Sequence, residues 1–209
     1  MAKRIAICLA LCCFGTGCAT ARIQAPTLMP TSAYRFATED QEVKVAADPY
    51  FTALQGKQTF GQDVAESEIL PVWTVLDNQS EAAIALLREE AYLVSPGDKV
   101  YPAINPESIW PKLNQKREEI TSGAAMYGVV GILTAMAMTA GEPKKLQQLV
   151  TETAWQETEI VPSERRAGFL YFDLPGVPKS LDGYRLRLNA VRKGQAAQLF
   201  EVALGGSRK

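Results

Sequence analysis

Two groups of strand-like segments, one on each side of a helical block, constrain the fold of this chain more than any other feature. The clearest strand pattern covers residues 184–190, where apolar side chains alternate with Arg185, Arg187 and Asn189, as in a strand with one buried face. Residues 69–76 are apolar on both faces, which is typical of a central strand. The chain is therefore predicted to be mainly β.

The other predicted strands are short alternating or β-branched runs bounded by turn residues. They cover residues 43–47, 82–87, 91–95, 100–101, 159–161, 168–172 and 197–204. Between two of them, Ser95-Pro96-Gly97-Asp98 predicts a type II turn with Pro96 and Gly97 at its central positions. Short strands in this number are typical of an immunoglobulin-like (Ig-like) antiparallel β-sandwich.

The helical block interrupts the strands at about residues 105–156. Asn105 followed by Pro106 predicts a helix cap with proline at the first helical position. Neither group of strands can cover an apolar sheet face by itself, so both groups are expected to share one core. The predicted fold over residues 42–209 is therefore an Ig-like antiparallel β-sandwich with an inserted α-hairpin.

Within this block, residues 124–140 form a run of seventeen without a charged side chain. As a helix the run spans about 25 Å, which is short for crossing a bilayer. Small residues at helical spacing, including Gly128, Gly131 and Ala135, allow helices to approach closely. Three interpretations stay open: packing in a hairpin on the sheet, an interface with a partner or a second copy, and insertion into a membrane.

The N-terminus carries the pattern of an export signal. Lys3 and Arg4 form a short positive region, and residues 5–14 form an apolar stretch of about ten residues, within the range expected for a signal peptide. This stretch is too short for a transmembrane helix. Residues 1–17 are therefore predicted to be a signal peptide.

All four cysteines lie within the first 18 residues. Cys18 follows Gly15-Thr16-Gly17 and resembles the lipobox of bacterial lipoproteins, in which the cysteine thiol receives a diacylglycerol and the new amino group is acylated, for example with palmitate. Thr16 and Gly17 match the small residues of that motif, whereas Gly15 replaces its usual leucine. The alternative is an ordinary secretory signal cut nearby, which leaves Cys18 as a free thiol.

The resemblance to lipoproteins implies a lipid anchor and a location in the cell envelope. Several lipid chains hold a protein firmly at a membrane, so Cys18 is the predicted lipid attachment residue and the membrane is the predicted partner. The residue directly after Cys18 is Ala19 and not aspartate, as in lipoproteins that are sorted to the outer membrane. This resemblance implies a location at the periplasmic face of that membrane. Residues 18–41 contain Pro26 and Pro30 and lack periodicity, which predicts a flexible tether.

Several short segments of the domain resemble one family. They are Phe60-Gly61-x-Asp63, Ile69-Leu70-Pro71-Val72, Asp77-Asn78 and Gly168-Phe169-Leu170-Tyr171-Phe172. They are similar to segments of a family of largely uncharacterised bacterial envelope lipoproteins, whose Ig-like domain is interrupted by a small-residue-rich helical hairpin. The resemblance spans roughly residues 43–190 and implies no catalytic residues.

Composition and motifs argue against enzymatic chemistry. The chain has no histidine, which removes Ser-His-Asp catalysis and histidine-ligated zinc. Nucleotide-binding glycine motifs and the GxSxG elbow are missing from the sequence, and a net charge of −1 gives no field that attracts nucleic acid. We predict a non-enzymatic binding or structural module without catalytic residues, metal or cofactor, and with another envelope protein as a further candidate partner.

Three weaker patterns admit either a functional or a purely structural interpretation. Asp63, Glu66 and Glu68 form an acidic cluster that is either a calcium site or a solvent-facing surface. The basic pairs 144–145 and 165–166 either contact lipid headgroups or peptidoglycan, or are solvated. The aromatic residues Trp73, Trp110, Trp155, Phe169, Tyr171 and Phe172 form either a ligand platform or part of the core, and aromatic residues on strands are usually core.

Overall fold

The computed structural model describes residues 25–125, 143–192 and 196–205. Its strands are β1 (Phe36–Asp40), β2 (Val43–Pro49), β3 (Ile69–Asn78), β4 (Ile84–Val94), β5 (Val100–Ile104), β6 (Arg165–Asp173), β7 (Arg185–Arg192) and β8 (Ala197–Ala203). Its α-helices are α1 (Ala53–Phe60), α2 (Pro106–Ala125) and α3 (Pro143–Thr153), and short 3-10 helices form at Thr31–Ala33 and Ala65–Ser67. The strands form one antiparallel sheet in the order β1-β2-β3-β6-β5-β4-β7-β8.

The two edges of this sheet, β1 and β8, lie beside one another, so the sheet is nearly closed and barrel-like. The mainly β, antiparallel fold is thus confirmed, whereas the two separate layers of a sandwich are not seen. Strand β5 makes the difference, because it pairs with β4 through Val100–Pro102 and with β6 through Ala103 and Ile104. The Ig-like classification stays a prediction.

The interior of the sheet holds the first of two core clusters. Both predicted groups of strands contribute to it, as expected for a shared core. Trp155, which follows α3, also lies in this cluster and donates its indole N–H to the Leu86 carbonyl oxygen at 2.9 Å. Fully buried members from six strands include Val45, Leu76, Leu93, Leu170, Leu188 and Phe200.

The second core cluster lies on the outer face of β2, β3 and β6, where all three helices pack. The helices contribute Phe60 of α1, Ile109 and Leu113 of α2, and Leu146, Val150 and Ala154 of α3 to this cluster. The sheet contributes Ile69, Trp73, Val75, Phe169 and Tyr171. Strand β3 therefore has the interior core on one face and helices on the other, and all ten of its residues are buried. This double burial explains why its sequence lacks alternation.

Helix α1 forms in a stretch for which the sequence predicts neither a strand nor a helix. Its first turn is closed by a capping box: the Gln55 amide donates to the Thr52 hydroxyl at 3.3 Å, and the Thr52 amide donates to the Gln55 side chain at 3.3 Å. Gly61, with φ of 73°, ends the helix in the left-handed conformation. Eight residues are too few for a clear helical period, so tertiary packing of Phe60 decides this element.

Strand β1 forms within residues 18–41, for which the sequence predicts a flexible tether. It pairs with β2 from Phe36 opposite Ala47 to Asp40 opposite Val43. None of the five β1 residues is fully buried. Its order therefore comes from hydrogen bonding to β2 and not from an apolar pattern that its own sequence displays.

Two further predictions differ from the structure in the β4 region. Residues 82–87 and 91–95 belong mainly to one strand, in which a bulge shifts the register against β7 between Leu86 and Ala91. The following turn closes with the Asp98 amide donating to the Ser95 carbonyl at 3.0 Å. The type II prediction is wrong, because the positive φ of 58° falls at Asp98 and not at Gly97. Arg185 donates to the Asp98 carboxylate at 2.7 Å.

Helices α2 and α3 lie between β5 and β6. The predicted cap is confirmed, since the Asn105 side chain accepts the Glu107 amide at 3.0 Å. Within the described residues, no helix is long and apolar enough to span a membrane. Residues 126–142 lie outside the described residues, and the possible interface positions Gly128, Gly131 and Ala135 lie outside them too.

Candidate functional site

Four charged side chains form a continuous row across β1, β2, β3 and β6. Glu39 is paired in register with Lys44, Lys44 with Asp77, and Asp77 with Arg165. Residues that are paired across neighbouring strands point to the same face of the sheet. Lys44 and Asp77 lie two positions from residues of the outer core cluster, so the charged row (Glu39, Lys44, Asp77 and Arg165) lies on the outer face.

The signs alternate along the charged row, which contains two ion pairs. Lys44 Nζ lies 3.4 Å from Glu39 Oε2, and both side chains are well exposed, at 40% and 56%. Arg165 binds one oxygen of Asp77 through Nε at 2.8 Å and Nη2 at 2.6 Å. Asp77 is only 4% exposed and Arg165 is 34% exposed. The Gln79 side-chain amide also donates to Asp77. The row therefore has no net charge, and the pair of Asp77 and Arg165 at one end of it is fixed in position.

A groove of about 510 Å³ runs along the charged row. Its lining is completed by Ala37, Thr38 and Gln79 and, on the N-terminal side, by residues 30–32. Its position outside the helix-covered part of β2 and β3 leaves Lys44 and Glu39 in contact with solvent. The groove can bind a polar group of either sign, because each exposed charge has a neighbour of opposite charge.

The N-terminal segment that borders this groove is fixed to the sheet by Tyr34. Tyr34 is 3% exposed, and its hydroxyl accepts hydrogen bonds from the Trp73 indole at 3.3 Å and the Met29 amide at 3.2 Å. The same hydroxyl donates to the Thr27 carbonyl oxygen at 3.5 Å. Residues 27–34 are therefore part of the domain and give the groove a defined border.

Removing the two cations of the charged row is expected to have unequal effects on stability. Arg165→Gln leaves the buried Asp77 carboxylate without its charged partner and should lower the free energy of unfolding by about 1–2 kcal/mol. Lys44→Gln breaks a solvent-exposed pair and should cost less than about 0.5 kcal/mol. Urea unfolding of the two variants measures the difference, and equal losses would contradict the assigned burial of the pairs.

The aromatic residues singled out in the sequence are packing residues. Trp73 lies 4.9 Å from Phe169 between ring centres, and Tyr50 lies 5.2 Å from Phe169 in an edge-on arrangement. Burial, reinforced by the negative charge of Asp48, raises the pKa of Tyr50 to about 12. Burial also raises the pKa of Tyr171. These rings stabilise the contact between sheet and helices and leave no open aromatic platform on the described part of this face.

Stability is expected to fall with rising pH above about 10. The raised pKa of Tyr50 means that the unfolded chain releases its phenol proton near pH 10 and the folded chain only near pH 12. The contribution of Tyr50 is therefore complete below pH 10 and is lost as the pH rises towards 12. Tyr50→Phe should make the decline shallower in urea unfolding between pH 9 and 12, and an unchanged slope would contradict this assignment.

Two of the other sequence candidates, Asp63 and Arg166, have structural partners. Asp63 accepts the Ala65 amide at 3.1 Å, at the start of a 3-10 helix. The described residues contain no group of three or more side chains arranged to hold a metal ion. Arg166 donates to Glu164 and to Thr158. Cys18, the predicted lipid attachment residue, lies outside the described residues.

Sequence patterns singled out two members of the charged row, but separately: Arg165 as half of a basic pair, and Asp77 as part of the segment Asp77-Asn78. Glu39 falls in the predicted tether, Lys44 falls in the predicted strand at residues 43–47, and Asp77 follows the predicted strand at residues 69–76. Each is an ordinary charged residue in the sequence, and only the register of four strands from distant parts of the chain brings them together. No local signal in the chain encodes that register.

Comparisons with known proteins identify no family for this chain. No protein-family model matches it, and no curated protein is significantly similar to it. Among solved structures, the chain is similar to the crystal structure of the yjhA protein from Bacillus subtilis, with 12% sequence identity and a TM-score of 0.39 over 75% of this chain and 80% of that chain. A likeness this slight carries no conclusion about function.

Proposed function

We propose that this protein is a lipid-anchored cell-envelope protein whose β domain acts as a non-enzymatic binding or structural module. The observation that carries the proposal is Cys18 directly after Thr16 and Gly17, at the end of a basic and then apolar N-terminal segment. Lipidation of Cys18 attaches the protein to the membrane, at the periplasmic face of the outer membrane. The resemblance of its domain segments to envelope lipoproteins supports the same function.

The short distance between Cys18 and the domain also supports this proposal. Because Tyr34 binds the backbone at Thr27, nine residue steps separate Cys18 from a residue that is held by the domain. Nine extended residues reach at most about 32 Å. An anchor on Cys18 therefore keeps the domain close to the membrane, and the groove, whose lining begins at Pro30, lies on the anchored side.

We propose the groove along the charged row as the recognition surface of this module. The exposed Lys44 and Glu39 and the half-exposed Arg165 present both signs of charge within one row. Such a surface suits a partner whose own surface carries both signs, because complementary charges fix register and reject unmatched partners. We propose another protein of the envelope as this partner.

Cys18→Ser is expected to move the protein from the membrane fraction to the soluble fraction. The serine hydroxyl accepts no diacylglycerol, so the variant loses its lipid anchor. Fractionation of cells, together with metabolic labelling by an alkyne analogue of palmitate, measures both consequences. Cys13→Ser lies inside the predicted signal and serves as the matched control, with labelling and membrane attachment unchanged.

A second candidate function rests on the uncharged run 124–140. In this alternative the segment inserts into a membrane or assembles copies of the protein through small residues. The Cys18→Ser variant separates the two functions, because an inserted segment keeps that variant membrane-bound after a high-salt wash. Aspartate at Gly131 or Ala135 then releases it if insertion holds it there, and soluble Cys18→Ser protein argues for the lipid anchor alone.

A further inference from the structure

The turn between β1 and β2 is strained. Gln41 and Glu42 form a two-residue connection between the paired residues Asp40 and Val43. Both have positive φ, at 46° and 66°. Two-residue hairpin turns of this kind favour Asn-Gly, because a side chain with a β-carbon is unfavourable in the left-handed conformation. The hinge residues Gln41 and Glu42 therefore store backbone strain that an extended connection would release.

Strand β1 is held on one side only. It pairs with β2, whereas β1 and β8 lie side by side without a backbone ladder in the described part of the chain. Side chains bridge this seam: Gln198 donates to Asp40 at 2.7 Å, and Arg192 donates to the Gln41 carbonyl at 2.6 Å. Arg192 Nε and Gln198 Oε1 are buried there without a hydrogen-bond partner among the described residues. An imperfect seam of this kind favours detachment of β1.

The segment that precedes the hinge binds the rest of the domain through specific contacts. We call residues 25–40 the arm and residues 43–205 the body. Tyr34 and Thr31 of the arm are buried on the body, Trp73 donates to the Tyr34 hydroxyl, and Phe36 packs against the interior core. An identical arm from a second copy satisfies the same contacts, so the body has a ready-made site for it.

We propose that two copies of this protein exchange their arms. In the exchanged dimer the hinge extends, β1 of each copy pairs with β2 of the partner, and every contact of the arm is kept while the strain at Gln41 and Glu42 is released. Short strained hinges and exchange of an identical element are the conditions for domain swapping. A lipid anchor concentrates the copies, but the exchange does not depend on it.

Arm exchange makes the groove a shared site. Residues 30–32 and 37–39 of its lining come from one copy, whereas Lys44, Asp77 and Arg165 come from the other. The ion pair between Glu39 and Lys44, at 3.4 Å in the single chain, then joins two chains. The charged row is completed only by the partner copy.

Hinge variants test whether strain drives the exchange. In a Cys18→Ser background, Gln41→Asn with Glu42→Gly removes the strain of the closed hinge and should weaken dimerisation roughly 100-fold. Glu42→Pro is incompatible with positive φ and should strengthen dimerisation at least about 10-fold. Size-exclusion chromatography with light scattering over a concentration series measures both shifts. A monomer at ~1 mM, where weak association is already populated, would overturn the proposal.

Cross-linking of the native side chains tests the exchange without altering the hinge. A zero-length carbodiimide joins Glu39 to Lys44, and chains labelled with nitrogen-14 and nitrogen-15 are refolded together. Exchange predicts linked peptides in the dimer with one light and one heavy member, as read by mass spectrometry. Lys44→Arg removes the reactive amine and should abolish this link. Only uniform peptides in the dimer fraction would show that each arm stays on its own body and would overturn the proposal.

Discussion

Gly168→Ala is expected to lower the free energy of unfolding by about 3 kcal/mol, because no space exists for even one methyl group at this position. A β-carbon on Gly168 would lie 2.6 Å from Trp155 Cα and 2.8 Å from Trp155 N, both of them backbone atoms. The approach is fixed by the Trp155 amide, which donates to the Phe169 carbonyl at 2.9 Å. Urea or thermal unfolding measures the loss.

Gly97→Ala is the matched control for this prediction. A β-carbon on Gly97 meets no atom within 4 Å, and its φ lies outside the left-handed region. The same chemical change should therefore be neutral or stabilise by up to about 1 kcal/mol, through reduced freedom of the unfolded chain. Similar losses at the two positions would mean that the close contact between Gly168 and Trp155 does not form.

Asn78→Asp is expected to lower the free energy of unfolding by about 4 kcal/mol, although the two side chains have nearly the same shape. Asn78 is fully buried, and its amide nitrogen donates to the carbonyl oxygens of Ala82 and Ile160, both at 2.9 Å. Its oxygen accepts from the Ser80 amide and hydroxyl. A carboxylate keeps the acceptor contacts but places a buried negative charge against two carbonyl oxygens.

The pH dependence of this loss gives a second measurement. The folded chain disfavours ionisation of the new carboxyl, so its pKa in the folded state is raised above the unfolded value of about 3.9. The folded state then binds the additional proton, and the loss should shrink as the pH falls towards 4 and be largest above the folded pKa. A loss that does not vary between pH 3 and 8 would contradict burial of a charged group.

Asn105→Asp is the control for the same substitution at a different site. Asn105 uses its side-chain oxygen, which accepts the Glu107 amide at the start of α2. Aspartate accepts this hydrogen bond equally well, and its charge is favourable near a helix N-terminus. The variant should retain wild-type stability within about 0.5 kcal/mol. Comparison of the two variants then distinguishes Asn78, whose side-chain amide must donate hydrogen bonds, from Asn105, whose side chain only accepts one.

Gly168 and Asn78 both lie in segments on which the prediction of an envelope lipoprotein family rests, and that family stays a prediction. The structure gives each a role in folding: Gly168 admits the backbone at Trp155, and Asn78 joins β3 to the chain around Ile160. Both residues therefore matter for how the domain folds.

Strands with a strong local pattern were predictable, and those defined by their neighbours were not. The alternation around Leu186 and Leu188 locates β7, and the continuous apolar run locates β3. Strand β1 exposes most of its length and was missed, because β2 supplies its order. Helix α1 was missed for a related reason, since eight residues give little periodicity and its cap and Phe60 depend on the local chain path.

The candidate site depended even more on the fold. The charged row joins residues 39, 44, 77 and 165, which are separated by up to 126 positions and carry no common motif. Cross-strand register creates the row, and register is a property of pairing between strands, not of any one of them. The sequence patterns therefore indicated Arg165 only as half of a basic pair and Asp77 only as part of the segment Asp77-Asn78, and did not indicate that the two side chains are paired.

Local patterns in the chain are sufficient to predict the mainly β character, the helical block and the anchor at Cys18, because periodicity and short motifs act over a few neighbouring residues. The closure of the strands into one nearly continuous sheet follows instead from the fold, through the pairing of β5 on both sides. The fold also decides which charges meet and where backbone strain is stored at Gln41 and Glu42. These features arise from contacts between distant segments, and such contacts leave no local pattern in the chain.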